Sequence, residues 1–97
     1  MDVSYWIQGI EFEWDEDKAF ANIDKHGITF EEATEAFFDP FYQHGEASRQ
    51  GEHRDFLIGY TLTEQLLVVI FLERGSRTRI VSAREATRQE RKLYEDG

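Results

Sequence analysis

Apolar and acidic positions alternate near the start of the chain, and the pattern then changes to the spacing of a helix. The stretch IEFEW, residues 10–14, has the period of two that predicts a strand with one buried face. Asp15 follows as the expected N-cap of a first helix, which runs to about Lys25 and ends with a left-handed C-cap at Gly27. The pattern therefore predicts a strand that leads directly into a helix.

The first helix is expected to bury Ala19, Phe20 and Ile23, whose spacing places them on one side. A second helix is predicted to follow at once, because Thr29 begins the T-x-x-E pattern of a capping box. This second helix carries apolar residues at helical spacing and is stopped by Pro40. Two short helices in succession are therefore expected.

Strand patterns separated by polar turns follow these helices. Residues 41–46 form a weak strand pattern, whereas residues 54–62 and 66–73 form strong ones joined by a tight turn. The segment 66–73 is almost continuously apolar and is expected in the centre of the sheet. Residues 79–82 predict the last strand. The predicted fold class is α+β, with two N-terminal helices, a three- to four-stranded antiparallel sheet and a C-terminal helix.

The C-terminal helix is predicted to carry several arginines on one side. A capping box that starts at Ser82 places its beginning there, and the helix extends towards Glu95. At about 100° per residue, Arg84, Arg88 and Arg91 fall on the same face. Such a stripe is either a solvated surface or a site for a polyanion.

Length and composition limit the possible classes of protein. A chain of 97 residues has room for one domain, residues 1–97, with a modest core. It contains no cysteine, which excludes disulfides and cysteine zinc sites and favours a reducing cytoplasm. The longest apolar run, residues 66–72, is too short to cross a bilayer, and no signal-peptide pattern is present. We therefore expect a cytoplasmic domain without a membrane segment.

Charge is distributed unevenly along a chain whose net charge is −9. Residues 1–40 contain eleven acidic side chains and only two lysines, whereas residues 74–92 contain seven basic and two acidic side chains. Arg77 and Arg79 lie two apart in a strand and therefore project to the same face. Because guanidinium groups grip phosphate oxygens in pairs, a nucleic-acid or phosphate site is expected in this basic segment.

The histidines suggest one candidate for proton transfer and no metal site. Lys25 and His26 end the first helix, where they either complement the helix dipole or contribute chemistry. His26 is the candidate general acid or base, because imidazole exchanges protons near neutral pH. His44 and His53 lack the spacing of metal ligands, so no metal or other cofactor is expected.

Several motifs in order resemble the BrnT family of type II toxin–antitoxin toxins. The stretch FEWDEDKAFANIDKHGITFEEATEAFFDP is followed by GEHRDFLIGY, LLVVIFLERG and TRIVSAREATRQERKLYE. Together they contain the F-x-W-D, K-H-G, E-x-R, [IV]-S-A-R and E-R-x-x-Y elements, from about Ile10 to Glu95. Residues 1–9 extend beyond the usual family start and are either disordered or packed on the sheet edge.

The resemblance implies a RelE-like fold and a ribonuclease that inhibits translation. It also implies neutralisation by a BrnA-like antitoxin, whose ribbon-helix-helix domain binds operator DNA, so that the toxin meets DNA only through its partner. The implied chemistry is metal-independent attack of a ribose 2′-hydroxyl on the neighbouring phosphate. Arg79 and Arg84 would stabilise the developing charge, and His26 or Glu52 would be the base.

The same resemblance, together with the geometry above, predicts the residues that bind RNA. Lys25 or Arg54 would position the phosphate. The other expected RNA contacts are Arg74, Arg77, Arg88, Arg91 and Tyr94. The net charge of −9 opposes the approach of a polyanion. An alternative function is therefore a non-catalytic, toxin-like subunit that acts as corepressor with a DNA-binding antitoxin.

Overall fold

The computed structural model describes residues 1–97 and contains a six-stranded mixed sheet with three helices. The elements in chain order are β1 Asp2–Ile7, β2 Ile10–Asp15, α1 Glu16–His26, α2 Phe30–Ala36, β3 Gln43–Glu46, β4 Asp55–Tyr60, β5 Leu66–Arg74, β6 Arg77–Glu85 and α3 Arg88–Asp96. The strand order is β1-β2-β6-β5-β4-β3. The pair β2 and β6 is parallel, and all other neighbours are antiparallel.

The predicted fold class, with a three- to four-stranded antiparallel sheet behind two N-terminal helices, is wrong. Residues 2–7 form the edge strand β1, which pairs with β2 along its whole length, so two strands precede the helices. Strand β2 then lies beside β6, and this parallel pairing makes the sheet mixed. The sequence gives no local signal for a pairing between segments more than sixty residues apart.

The start of the C-terminal helix is also different from the prediction. Strand β6 continues to Glu85, because its residues after Ser82 remain paired with β5. The capping box of α3 is instead formed by Thr87 and Glu90, whose side chains and backbone amides bond reciprocally. Arg84 therefore lies on a strand, and the predicted helical stripe that included it does not exist.

Both N-terminal helices begin as predicted and α1 also ends as predicted, whereas α2 ends at Ala36, before the Pro40 that was expected to stop it. Asp15 caps α1 by accepting a hydrogen bond from the amide of Lys18 at 3.1 Å. Gly27 ends α1 in the left-handed conformation, with φ of 71°, and Thr29 forms the predicted capping box of α2. The strong hairpin is also confirmed, and its second strand, β5, lies between β6 and β4.

Helices α1 and α2 cover one face of the sheet, and the main core lies between them and the strands. Its buried members are Phe12, Trp14, Ile28, Phe30, Ala33, Ala36, Leu57, Leu67, Val69, Phe71, Ile80 and Ala83. The predicted core face of α1 is wrong for Phe20, which is 59% exposed, and for Ile23, which is 40% exposed, whereas Ala19 is partly buried against the core as expected. The buried residue of α1 is Asn22. None of the three helices has the length and apolar character needed to span a membrane.

Asn22 attaches α1 to the edge of β6. Strand β2 pairs with β6 only through residues 77–79, so the following residues of β6 have no strand partner on that side. The Asn22 side chain replaces that partner: its Oδ1 accepts from the amide of Ala83 at 3.1 Å, and its Nδ2 donates to the Ala83 carbonyl at 2.8 Å. The same Nδ2 donates to the Ile28 carbonyl at 2.9 Å. The amide group therefore sets how α1 faces the sheet.

Asp39 fixes α3 to the rest of the molecule. Its carboxylate accepts hydrogen bonds from the Tyr94 hydroxyl at 2.7 Å and from the amides of Tyr60 and Phe41, both at 2.8 Å. Burial opposes the charged form of Asp39, but these hydrogen bonds hold its pKa below the ordinary value. Burial and the bond to Asp39 raise the pKa of Tyr94 to about 12. The Tyr94 hydroxyl is therefore occupied by a contact within the fold.

We expect Asn22→Ala to destabilise the protein by about 2–4 kcal/mol, because it leaves buried backbone groups of Ala83 and Ile28 without partners. Urea unfolding measures this change in free energy. Asp24→Ala on the exposed side of α1 is the matched control and should stay within about 0.5 kcal/mol of the wild type. Equal stability of the Asn22 variant and the control would contradict the role given to Asn22.

Tyr94→Phe should lower stability by about 1–2 kcal/mol, because one hydrogen bond to a buried carboxylate is lost. The folded-state pKa of Tyr94 is raised above its ordinary value of 10.0, so this contribution is fully present below pH 10 and is lost as the pH rises through about 12. Absorbance titration of the phenolates should show a step near pH 12 for Tyr94 in the wild type, and Tyr94→Phe should remove that step. A wild-type titration identical to that of Tyr94→Phe would refute the assignment.

Candidate functional site

A β-bulge in β6 determines which of its side chains share a face. Ile80 lies opposite Phe71, but Ser82 lies opposite Ile70, so β6 has one extra residue, Val81, at this point. The extra residue reverses the in-and-out alternation of the strand. Side chains at odd positions before the bulge therefore project to the same face as side chains at even positions after it.

The bulge brings Arg77, Arg79, Ser82 and Arg84 to the sheet face opposite α1 and α2, which we call the arginine face. Arg79 lies opposite Leu72 and Arg84 lies opposite Val68. These β5 positions are four residues apart, or about 13 Å along the strand. A regular β6 would have pointed Arg84 into the core, so the bulge is what places both arginines on this face.

Buried Glu13 holds the arginines at one end of the arginine face. Its carboxylate accepts from Arg79 Nη1 at 2.7 Å, Arg74 Nη1 at 3.4 Å and Arg77 Nη1 at 3.5 Å. Arg79 also donates to Asp2 on β1 at 3.1 Å. The hydrogen bonds that Arg79 donates, first to Asp2 and then to Glu13, raise the pKa of Arg79, and the bond to Asp2 lowers the pKa of that carboxyl group. The predicted common face of Arg77 and Arg79 is confirmed, and each arginine here contacts at least one carboxylate.

Arg84 forms a two-point ion pair with Glu90 at the other end of the arginine face. Its Nη1 and Nη2 donate to the two Glu90 oxygens at 2.6 and 2.8 Å. This fork lowers the pKa of Glu90 to about 2 and raises that of Arg84. The pair joins β6 to the first turn of α3 and borders an apolar cavity of about 240 Å³ over β4 and β5. Arg84 therefore helps to hold α3 while its guanidinium stays at the surface.

Lys25 and His26 lie in a cleft beside the bulge, which we call the lysine–histidine cleft. This opening of about 200 Å³ lies between one side of α1 and β6, and it is lined by Lys18, Ala21, Asn22, Lys25, His26, Val81 and Ser82. Ser82 belongs to both the cleft and the arginine face, so the two surfaces meet there. Two lysines and one half-buried imidazole are therefore grouped beside the part of β6 that lies between Arg79 and Arg84.

The remaining predicted site residues lie elsewhere. Glu52 and Arg54 pair with each other at 2.8 Å in the loop before β4, and β5 separates that strand from β6. Arg91 donates to the Tyr60 hydroxyl at 3.0 Å, and Arg88 is exposed at the start of α3. Tyr94 is bonded to Asp39. The fold therefore does not bring Glu52 next to His26.

Sequence reasoning did not identify Lys18, Asn22 and Ser82 as parts of this region. Lys18, Asn22 and Lys25 follow the i, i+4, i+7 spacing of one helix side, and this pattern was available in the sequence. Ser82 had no comparable signal, because its position depends on the bulge. No group of three or more His, Cys, Asp or Glu side chains is arranged to hold a metal ion.

Comparison with known proteins relates this arrangement to one family. The sequence model of the family described as "Ribonuclease toxin, BrnT, of type II toxin-antitoxin system" matches residues 14–90. A crystal structure of the Brucella abortus ribonuclease toxin BrnT is similar to this fold, with a TM-score of 0.58 and 27% sequence identity over 77% of this chain and 94% of that chain. A search of curated protein sequences gave no match. Because the family match covers most of the chain and agrees with the structural similarity, the chain belongs to the BrnT family of ribonuclease toxins of type II toxin–antitoxin systems.

Proposed function

We propose that this chain is a toxin that cleaves RNA at the junction of the lysine–histidine cleft and the arginine face, and that it thereby inhibits translation. The observation that carries the proposal is the shared residue Ser82. It joins a cleft that contains a histidine and two lysines to a surface that contains Arg79 and Arg84. A phosphate at this junction would meet positive side chains from α1 and from β6, although the chain as a whole is acidic.

The proposed reaction is attack of a ribose 2′-hydroxyl on the adjacent phosphorus. The 2′-oxygen gives its proton to a base and bonds to phosphorus, the bond to the 5′-oxygen of the next nucleotide breaks, and that oxygen takes up a proton. The products are a 2′,3′-cyclic phosphate and a 5′-hydroxyl. His26 is the proposed base, because its imidazole shares the cleft with Lys18 and Lys25, whose ammonium groups would stabilise the additional charge on the phosphate. The protonated His26 is the proposed source of the proton that the leaving 5′-oxygen takes up, so the step balances without a metal ion.

Arg79 and Arg84 are proposed to bind the phosphates on either side of the junction. Each guanidinium is already held in a defined plane by a carboxylate, Glu13 for Arg79 and Glu90 for Arg84. A guanidinium has five N–H donors, so donors remain after these bonds are formed. RNA would add to these pairs or compete with them. Glu13 and Glu90 are therefore proposed to position the arginines.

A protein antitoxin is the partner that the family implies. We further propose that this antitoxin is BrnA-like, with a ribbon-helix-helix domain that binds operator DNA. Residues 1–40, with their net charge of −9, are suited to contact a basic protein of this kind.

We expect His26→Gln to lower the rate of RNA cleavage by about 10²–10⁴, because the general base is lost. His53→Gln is the matched control, since His53 is an exposed loop residue outside the cleft, and it should retain the wild-type rate. Growth and total RNA after induced expression, together with mass analysis of RNA ends, measure the effect. A full rate for His26→Gln would move the base elsewhere, with Glu52→Gln as the next variant. Normal growth and intact RNA with folded wild-type protein would favour the non-catalytic corepressor.

Arg84→Ala and Glu90→Gln together separate phosphate binding from attachment of α3. Both variants break the same ion pair and should each lower stability by about 1 kcal/mol at neutral pH. Because the pKa of Glu90 is lowered to about 2 from 4.5, the contribution of the pair is present above pH 4.5 and is lost as the pH falls through about 2. Cleavage should fall at least 10-fold in Arg84→Ala, which removes the guanidinium, and by a clearly smaller factor in Glu90→Gln, which keeps the guanidinium but loosens its position. An equal loss of activity in both variants would show that Arg84 acts only by holding α3.

A further inference from the structure

Helix α1 has two sides of opposite character. Lys18, Asn22 and Lys25 face the lysine–histidine cleft. Glu16, Ala19, Phe20 and Ile23 lie on the opposite side, because residues three and four apart share a helix face. The bonds from Asn22 to Ala83 fix this rotation, so Phe20 and Ile23 are kept away from the core.

The outer side of α1 forms one wall of an apolar opening of about 360 Å³. Trp14, only 2% exposed, and Val3 of β1 also line this opening. Phe20 and Ile23 are 59% and 40% exposed, so much of their apolar surface has no partner within the chain. A volume of this size is within the range of binding pockets, and exposed apolar patches of this kind mark contact sites.

Glu16 and Glu31 give this opening an acidic border, and we call the whole feature the acidic groove. Asp17 and Asp24 lie on the same helix at exposed positions. The lysines of α1 point to the other side, so they do not neutralise the groove directly. RNA would be repelled here by like charge, and two copies of the chain packed groove to groove would oppose the same carboxylates.

We infer that the acidic groove is the docking surface for a basic, apolar-faced segment of the antitoxin, which would place its apolar side chains between Phe20 and Trp14 and its cationic side chains against Glu16 and Glu31. Apolar anchors in a groove with a charged border are the usual means by which a folded domain captures an amphipathic segment. The inference rests on the antitoxin partnership described above. Because groove and cleft lie on opposite sides of α1, docking and cleavage are separable by mutation.

The double variant Phe20→Ser/Ile23→Ser tests the inference in the full-length toxin. It should remain as toxic as the wild type when expressed alone, but growth should no longer be restored by co-expression of the antitoxin from the same operon. Calorimetry with that purified antitoxin should show binding at least 30-fold weaker, the loss expected when a central apolar anchor is removed. Leu62→Ser is the matched control, because Leu62 is 86% exposed in the turn between β4 and β5, away from the groove, and it should be neutralised normally.

A second variant keeps the apolar residues and reverses the border charge. Glu16→Lys/Glu31→Lys should also weaken antitoxin binding, and the salt dependence of its affinity should be smaller than that of the wild type. If the serine variant fails to fold, this charge-reversal variant tests the inference in its place.

Unchanged antitoxin binding in a folded groove variant overturns the inference. Loss of toxicity with intact antitoxin binding also overturns it, because the groove would then be part of the RNA site. A wild-type toxin that binds the antitoxin without cleaving RNA would contradict the ribonuclease proposal alone.

Discussion

The edge of β6 beyond Arg79 is the feature on which the arrangement of the molecule depends. Strand β2 stops pairing there, and the side chain of Asn22 supplies the missing hydrogen bonds to Ala83. A helix held to a strand edge by one amide has a fixed rotation, because a turn of one residue would move that amide by about 100°. This constraint directs Lys25 towards the bulge at Val81 and leaves Phe20 facing outward. The lysine–histidine cleft and the acidic groove therefore both result from the hydrogen bonds between Asn22 and Ala83.

Part of this arrangement follows from local sequence and part does not. Asp15, Gly27 and Thr29 act on backbone groups only a few residues away, and these helix ends were predicted correctly. The start of α3 was missed because S-A-R-E and T-R-Q-E both have the form of a capping box and lie only five residues apart. Pairing of residues 82–85 with β5 decides between them, and no local pattern contains that pairing.

In the candidate site, too, some features follow from local sequence and others depend on long-range pairing. Arg77 and Arg79 were correctly placed on one face, because alternation within a strand is local. Arg84 lies on the same face only because of the bulge in the pairing of β6 with β5. Its partner Glu90 lies in α3, whose start differs from the prediction. The apolar side of α1 was assigned to the core from its spacing alone. Spacing identifies an apolar side of a helix, but tertiary contacts determine whether that side faces the core. In α1 the bond from Asn22 to Ala83 turns the apolar side outward.

The acidic net charge is compatible with a site for RNA because positive and negative groups are separated across α1. A helix with its side chains is about 10 Å across, whereas the Debye length at physiological ionic strength is about 8 Å. Carboxylates around the acidic groove are therefore largely screened from a phosphate in the lysine–histidine cleft. Near β6 the carboxylates of Glu13 and Glu90 are in direct contact with arginines, so their effect there is to fix guanidinium positions. In the proposed function, local charge rather than the total of −9 determines which polyion each side of α1 attracts.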